Sequence, residues 1–186
     1  TRPVLALATA RSIGLDPEGV LPAAAAIELI HTYSLIHDDL PAMDDDELRR
    51  GMPTSHVEFG EDVAILAGDA LFAEAMRLFC VRQGGEPARV LAALGELLGF
   101  RLLDDRGFTT FDARDPEKAR EGLPPDPQGL RHMHALKTGR LIGASVGVVL
   151  ELGDVPETDR IPYRRFAEEL GVLFQIVDDI LDATGT

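Results

Sequence analysis

An all-α helical bundle is the architecture this chain predicts, and three observations carry that expectation. Hydrophobic residues make up 45% of the 186, yet only 5% are aromatic and Trp is absent. Ala and Leu are abundant, which favours helices packed on helices over a sheet rich in β-branched and aromatic residues. The apolar residues also recur with helical rather than alternating spacing. The length suits one domain spanning residues 1–186, with a substantial core.

Pro3 to Gly14 reads as a short apolar helix closed by its glycine. Pro22 to Asp39 is a second, with proline in its first turn. Pro41 breaks the pattern, so Asp44 to Asp46 and the following Arg49-Arg50-Gly51-Met52-Pro53 are expected as loop. Glu61 to Arg82 is a third helix, where Ala67, Gly68 and Ala70 permit close approach of a neighbour. Gly84-Gly85 ends it, and Glu86 to Asp105 forms a fourth. Arg106 to Pro127 is charged, proline-rich and aperiodic, the signature of a lid or an insertion. Gln128 to Leu152 and Ile161 to Ala183 supply two more helices.

The formal charge of −14 leaves no basic stripe for a nucleic-acid partner. An anionic small molecule is compatible with it, because bridging cations let carboxylates hold phosphates. A single Cys80 points to a reducing, cytoplasmic setting, and no uninterrupted apolar run reaches spanning length.

Two acidic clusters carry the chemistry. Asp38-Asp39-Leu40-Pro41-Ala42-Met43-Asp44 ends the second predicted helix, and Asp178-Asp179-Ile180-Leu181-Asp182 ends the last. Each follows an apolar segment, where a carboxylate is costly unless a cation neutralises it. Oxygen-rich sites of this kind suit Mg²⁺, which pairs carboxylates with water and substrate phosphates. In the second cluster residues 178 and 182 share a helix face. A solvated acidic helix end is the competing reading; the apolar run Gly171 to Val177 before it argues for a buried segment.

His31 lies two helical turns before Asp38 and so points the same way; alone it reads as a hydrogen-bonded core or surface histidine, and beside the carboxylates as a donor to a phosphate. Arg49-Arg50 either salt-bridge to Asp44, Asp45 and Asp46 or offer guanidinium forks to phosphate oxygens. Lys137-Thr138-Gly139 is by itself an ordinary surface pair followed by glycine.

Together these stretches resemble the trans-isoprenyl diphosphate synthases. His31 to Gly51 is similar to that family's first Asp-rich region, Phe174 to Asp182 to its second, and Lys137-Thr138-Gly139 to its Lys-Thr-Gly. The resemblance implies an isoprenoid-synthase-type helical bundle around a deep central cavity, with the Asp motifs facing each other across its mouth. Asp38, Asp44 and Asp178 would then bind Mg²⁺, three ions in all, clamping an allylic diphosphate, with Asp39 and Asp182 in support. Arg49, Lys137, Thr138 and Gln175 would hold the same diphosphate, and Arg2, His31 and Arg50 that of isopentenyl diphosphate. The implied reaction is a head-to-tail condensation in a homodimeric enzyme.

Five residues before Asp38 stands Tyr33, with Ser34 beside it, the position that helps limit product length in this family. With the Pro41-Ala42 expansion, the combination resembles short-chain bacterial farnesyl diphosphate synthases. Three departures accompany the match. The family's Gly-Lys pair upstream of Arg2 has no counterpart, and only Ala183 to Thr186 follow Asp182. Arg101 stands where the family carries Gln in Phe100-Arg101-Leu102-Leu103-Asp104. The chain thus reads as the catalytic middle of a longer synthase, expected to bind Mg²⁺–diphosphate and to condense poorly. A class I terpene cyclase and a non-catalytic partner subunit of a prenyl synthase are the competing readings; the paired second motif, His31 and Arg50 argue against the first.

Overall fold

The computed structural model describes residues 1–98 and 139–184, apart from the side chains of residues 178, 179, 182 and 183. Its described residues form seven α-helices and one minimal hairpin, as the all-α expectation requires. They are α1 (Arg2–Ser12), α2 (Leu21–Asp38), α3 (Ser55–Phe59), α4 (Glu61–Arg82), α5 (Pro87–Leu98), α6 (Arg140–Leu152) and α7 (Glu157–Thr184). The expected lid at 106–127, and the ends of the helices predicted to reach Asp105 and to begin at Gln128, fall outside the described residues.

Helix α6 is the centre of the packing. Its run Leu141-Ile142 and Ala144 to Leu150 is buried throughout, as an all-round apolar helix must be. It touches α1, α2, α5 and α7. On α2 the buried stripe is Ala23, Ala26, Ile27 and Ile30, which joins Ala75 and Phe79 of α4, Ala93 and Leu97 of α5, and Ala144 and Val148 of α6 in the main core. Alanine at two of the four α2 positions keeps the helices close.

Local chemistry fixes the helix ends. Gly14 (φ 77°) closes α1, where Leu15 N–H donates to Ala10 O and Gly14 N–H to Arg11 O, the pairing of a Schellman stop. The start of α2 is capped from afar. Buried Gln83, just past α4, accepts from Ala23 N–H at 3.1 Å and donates to Gly19 O at 2.8 Å. By length and composition Pro17–Asp38 could cross a membrane; here its apolar stripe is core.

Three expectations are corrected. The segment after Arg49 is not plain loop. Leu48-Arg49 (β1) pairs antiparallel with Met52-Pro53 (β2), around Arg50 (φ 53°) and Gly51 (φ 78°). Positive φ at both central residues is a type I′ turn, whose twist suits a two-residue hairpin. Helix α7 starts at Glu157 rather than Ile161; Glu157 and Asp159 favour its N-terminus and Pro162 lies inside it. Finally, the run before the second Asp cluster is not buried. Leu173, Phe174, Ile176 and Val177 are exposed. The reason is where α7 meets α6: Tyr163, Ala167 and Leu170 pack onto Ile142, Val146 and Leu150. Gly171 already sits against Gly139, just before the first residue of α6. Beyond that crossing α7 runs past the end of α6.

Candidate diphosphate and metal site

The end of α2 and the loop after it make one wall of the site. Asp38 is the last residue of α2, and Asp39 follows as its cap, donating its N–H to Leu35 O. Asp44 N–H then donates to Asp38 O at 2.9 Å, and Asp45, in the left-handed region, donates to Leu40 O. The loop therefore folds back on the helix end and sets Asp44 beside Asp38. Buried Thr54 closes its far side, its hydroxyl donating to Asp46 O at 2.7 Å.

Asp39 and Arg49 tie the hairpin to this loop. Arg49 Nε donates to Oδ1 and Oδ2 of Asp39 at 2.8 and 3.0 Å, and its Nη2 also reaches Oδ1. Asp46 lies 3.5 Å from the same guanidinium. These bonds hold the Arg49 guanidinium above its ordinary value, against the opposing effect of burial. Of the two sequence readings of Arg49, the ion pair is the one realised here. Its carboxylate partner is Asp39, with Asp46 a second, more distant neighbour.

The cations gather on the next face. Arg2 is buried at the start of α1; burial lowers its affinity for the proton, Glu28 of α2 opposes that, and Arg50 adds to it. His31, half-buried on α2, is pushed down to about 4, first by burial and then by Arg2, Arg50 and Arg49. It is neutral at pH 7, so it offers a hydrogen bond rather than a charge. Arg2, His31 and Arg50, assigned to one diphosphate from the sequence, do lie within electrostatic reach of one another. The sequence reading passed over Glu28. Its signal was a carboxylate inside an apolar helix, one turn before His31. Both Glu28 Oε2 and Arg2 Nε are buried without a hydrogen-bond partner among the described residues.

Tyr33 lies between the helices. Its ring packs 5.3 Å from that of Phe72 on α4 and 4.8 Å from His37 (centroid distances), and Ser34 donates to His31 O. Burial, then Asp69 and Asp38, raise the Tyr33 phenol, which stays protonated at neutral pH.

The second Asp cluster is described through its backbone. Asp178, Asp179 and Asp182 lie in the last turns of α7, and Gln175 is half-buried there. Lys137, Thr138 and the carboxylates of the second cluster fall outside the described residues. Their neighbour Gly139 is placed: a Cβ on Gly171 would come within 2.5 Å of its Cα. The Lys-Thr-Gly segment therefore ends against α7 two helical turns before Asp178.

Among the described residues no group of three or more His, Cys, Asp or Glu side chains could hold a metal ion alone. The donor chemistry still fits Mg²⁺, which commonly takes only one or two protein carboxylates and completes its octahedron with water and phosphate oxygens. Asp38 and Asp44 supply such a pair on one wall.

Comparison with known proteins decides the family. The polyprenyl synthetase family matches residues 1–186. This chain belongs to the polyprenyl synthetase family. It is 44% identical over 188 residues to geranylgeranyl pyrophosphate synthase 7, chloroplastic, of Arabidopsis thaliana, a match covering 98% of the chain and 52% of that protein. It is also 44% identical to the farnesyl diphosphate synthase of Geobacillus stearothermophilus, covering 99% of the chain and 61% of that enzyme. The apo structure of an FPP/GFPP synthase from Zymomonas mobilis superposes with a TM-score of 0.81 at 34% identity, over 98% of the chain and 65% of that structure. The chain thus spans between half and two thirds of these polyprenyl synthetases.

Proposed function

We propose that this chain is the catalytic segment of a Mg²⁺-dependent prenyltransferase. It would condense isopentenyl diphosphate with an allylic diphosphate, dimethylallyl or geranyl, to a short-chain product such as farnesyl diphosphate. The observation that carries this reading is a juxtaposition: the Asp38–Asp44 loop lies beside Arg49, with Arg2, His31 and Arg50 adjoining.

In this reading Asp38, Asp44 and Asp178 hold the metal, with Asp39 and Asp182 behind them. Bound Mg²⁺ would neutralise the charge that grows on the leaving diphosphate. Lys137, Thr138 and Gln175 hold that diphosphate, and Arg49, kept in place by Asp39, adds its positive charge beside it, stabilising the departing anion more than the ester. Arg2, neutral His31 and Arg50 orient isopentenyl diphosphate so that its double bond faces the allylic carbon. The allylic C–O bond breaks, the double bond attacks, and a proton leaves to the released diphosphate. Apolar surface of α2 and α4 around Tyr33 excludes water from the cation.

Relatives named for farnesyl and for geranylgeranyl products match equally well, so the ring at Tyr33, which packs against Phe72, is what favours the shorter product: it would floor the space below Asp38. We read the active form as a homodimer in a reducing cytoplasm. On α4, Val63, Leu66 and Val81 are exposed apolar residues of the kind a second copy would cover.

Incubation with Mg²⁺, isopentenyl diphosphate and each allylic primer, with product sizing, tests the reading. A Mg²⁺-dependent prenyl diphosphate product supports it. Hydrolysis or cyclisation of the primer with no chain extension would overturn it.

A further inference from the structure

His37 is the residue next to the first Asp cluster that neither the metal nor the diphosphate reading uses. It lies one helical turn beyond Tyr33 on α2, and its imidazole meets the phenol edge-on, with the rings inclined at 70°. The other side of the imidazole is seated in α4. Nε2 lies 3.1 Å from Ile65 O, so the tautomer protonated there donates to a carbonyl of that helix. Gly68 makes the seat, because a Cβ at that position would overlap Nε2 and Cδ2 of the ring. Asp69 stands 3.9 Å from Nε2. Ile65 O, Gly68 and Asp69 all meet the imidazole at its Nε2 edge, and the phenol of Tyr33 packs against the same ring.

We propose that His37, seated in the Gly68 notch of α4, is a positioning residue that sets product length by holding the Tyr33 ring in place. This rests on the reading of Tyr33 as the cavity floor. Phe72 and His37 both pack against the phenol ring. With the imidazole removed, the Tyr33 ring gains room to swing about χ1, and the floor opens for part of the time. An edge-to-face contact of this kind changes a two-state population by about fivefold. The share of product one isoprene unit longer should rise by about that factor.

The test compares His37→Gln, His37→Phe and Tyr33→Ala with the parent, using Mg²⁺, isopentenyl diphosphate and geranyl diphosphate. His37→Gln keeps an N–H for Ile65 O and loses the ring; it should lengthen the product at unchanged KM for isopentenyl diphosphate. His37→Phe keeps the ring and should restore the parent distribution. A readout independent of turnover accompanies it. The chain has two tyrosines and no Trp, so in a Tyr163→Phe background all tyrosine emission comes from Tyr33. Acrylamide quenching of that emission should rise in His37→Gln and return to parent values in His37→Phe. Should Tyr33→Ala lengthen the product while His37→Gln leaves both distribution and quenching unchanged, the role of His37 is refuted and the floor survives. Unchanged product from an active Tyr33→Ala variant removes the floor itself, and the proposal with it.

Discussion

Breaking the Asp39–Arg49 pair probes how the site is built before any ligand arrives. Asp39 is 3% exposed, while the Arg49 side chain keeps 34% of its surface in contact with solvent. Removing one partner of a fully buried pair costs about 3–5 kcal/mol, and an exposed pair contributes about 0–1. With one partner fully buried and the other a third exposed, a coupling of about 2 kcal/mol is expected. The two single variants should differ in a defined order. Arg49→Ala leaves a buried carboxylate with no guanidinium, at about 3 kcal/mol; Asp39→Asn leaves a cation that can turn toward Asp46 or water, at about 1–2. The double variant should then cost about 2 kcal/mol less than the sum of the singles. Urea unfolding followed by circular dichroism reads this directly. With a slope of about 2 kcal/mol per M, Arg49→Ala moves the midpoint down by about 1.5 M. Additivity within about 0.5 kcal/mol would refute the pairing as a structural tie.

Further expectations follow from other contacts. Gly171→Ala places a methyl group 2.5 Å from the Gly139 backbone, which cannot rotate away. The helices must separate, at about 1–3 kcal/mol, and an unchanged melting temperature would show that α7 does not cross there. His31 sets a pH dependence. Its folded value, about 4, lies below the ordinary 6.5, so the folded state binds fewer protons between those values. That part of the stability is present above pH 6.5 and is lost as pH falls toward 4. Discounted for partial exposure it amounts to about 1 kcal/mol. His31→Gln should flatten the curve between pH 7 and 4.5, and a parallel curve would show that the ring is not held neutral.

Much of this was legible in the chain, for identifiable reasons. Helix α4 matched its expected limits because Gly60 and Gly84-Gly85 bracket an unbroken apolar period. Gly14 and Pro22 marked the first two helix boundaries in the same way, to within two residues. The convergence of Arg2, His31 and Arg50 followed from the motifs, since α2 carries His31 and the loop carries Arg50 back toward it. What escaped was set by tertiary contact. Nothing local announces that Gln83 caps α2, sixty residues away, or that Gly68 exists to seat His37. The hairpin at Arg49 was missed because an Arg-Gly pair is a weaker turn signal than Asn-Gly, although it adopts the same left-handed pair of residues. Apolar character at Leu173 to Val177 implied burial, yet α7 had already passed the end of α6.

The most direct measurement is calorimetric titration of the protein with geranyl diphosphate, with and without Mg²⁺, alongside Asp38→Ala. We expect saturable binding that requires Mg²⁺ and is weakened at least tenfold, about 1.4 kcal/mol, by Asp38→Ala. Binding of equal strength in the presence of a chelator, or undiminished in Asp38→Ala, would contradict a carboxylate–metal clamp on the diphosphate.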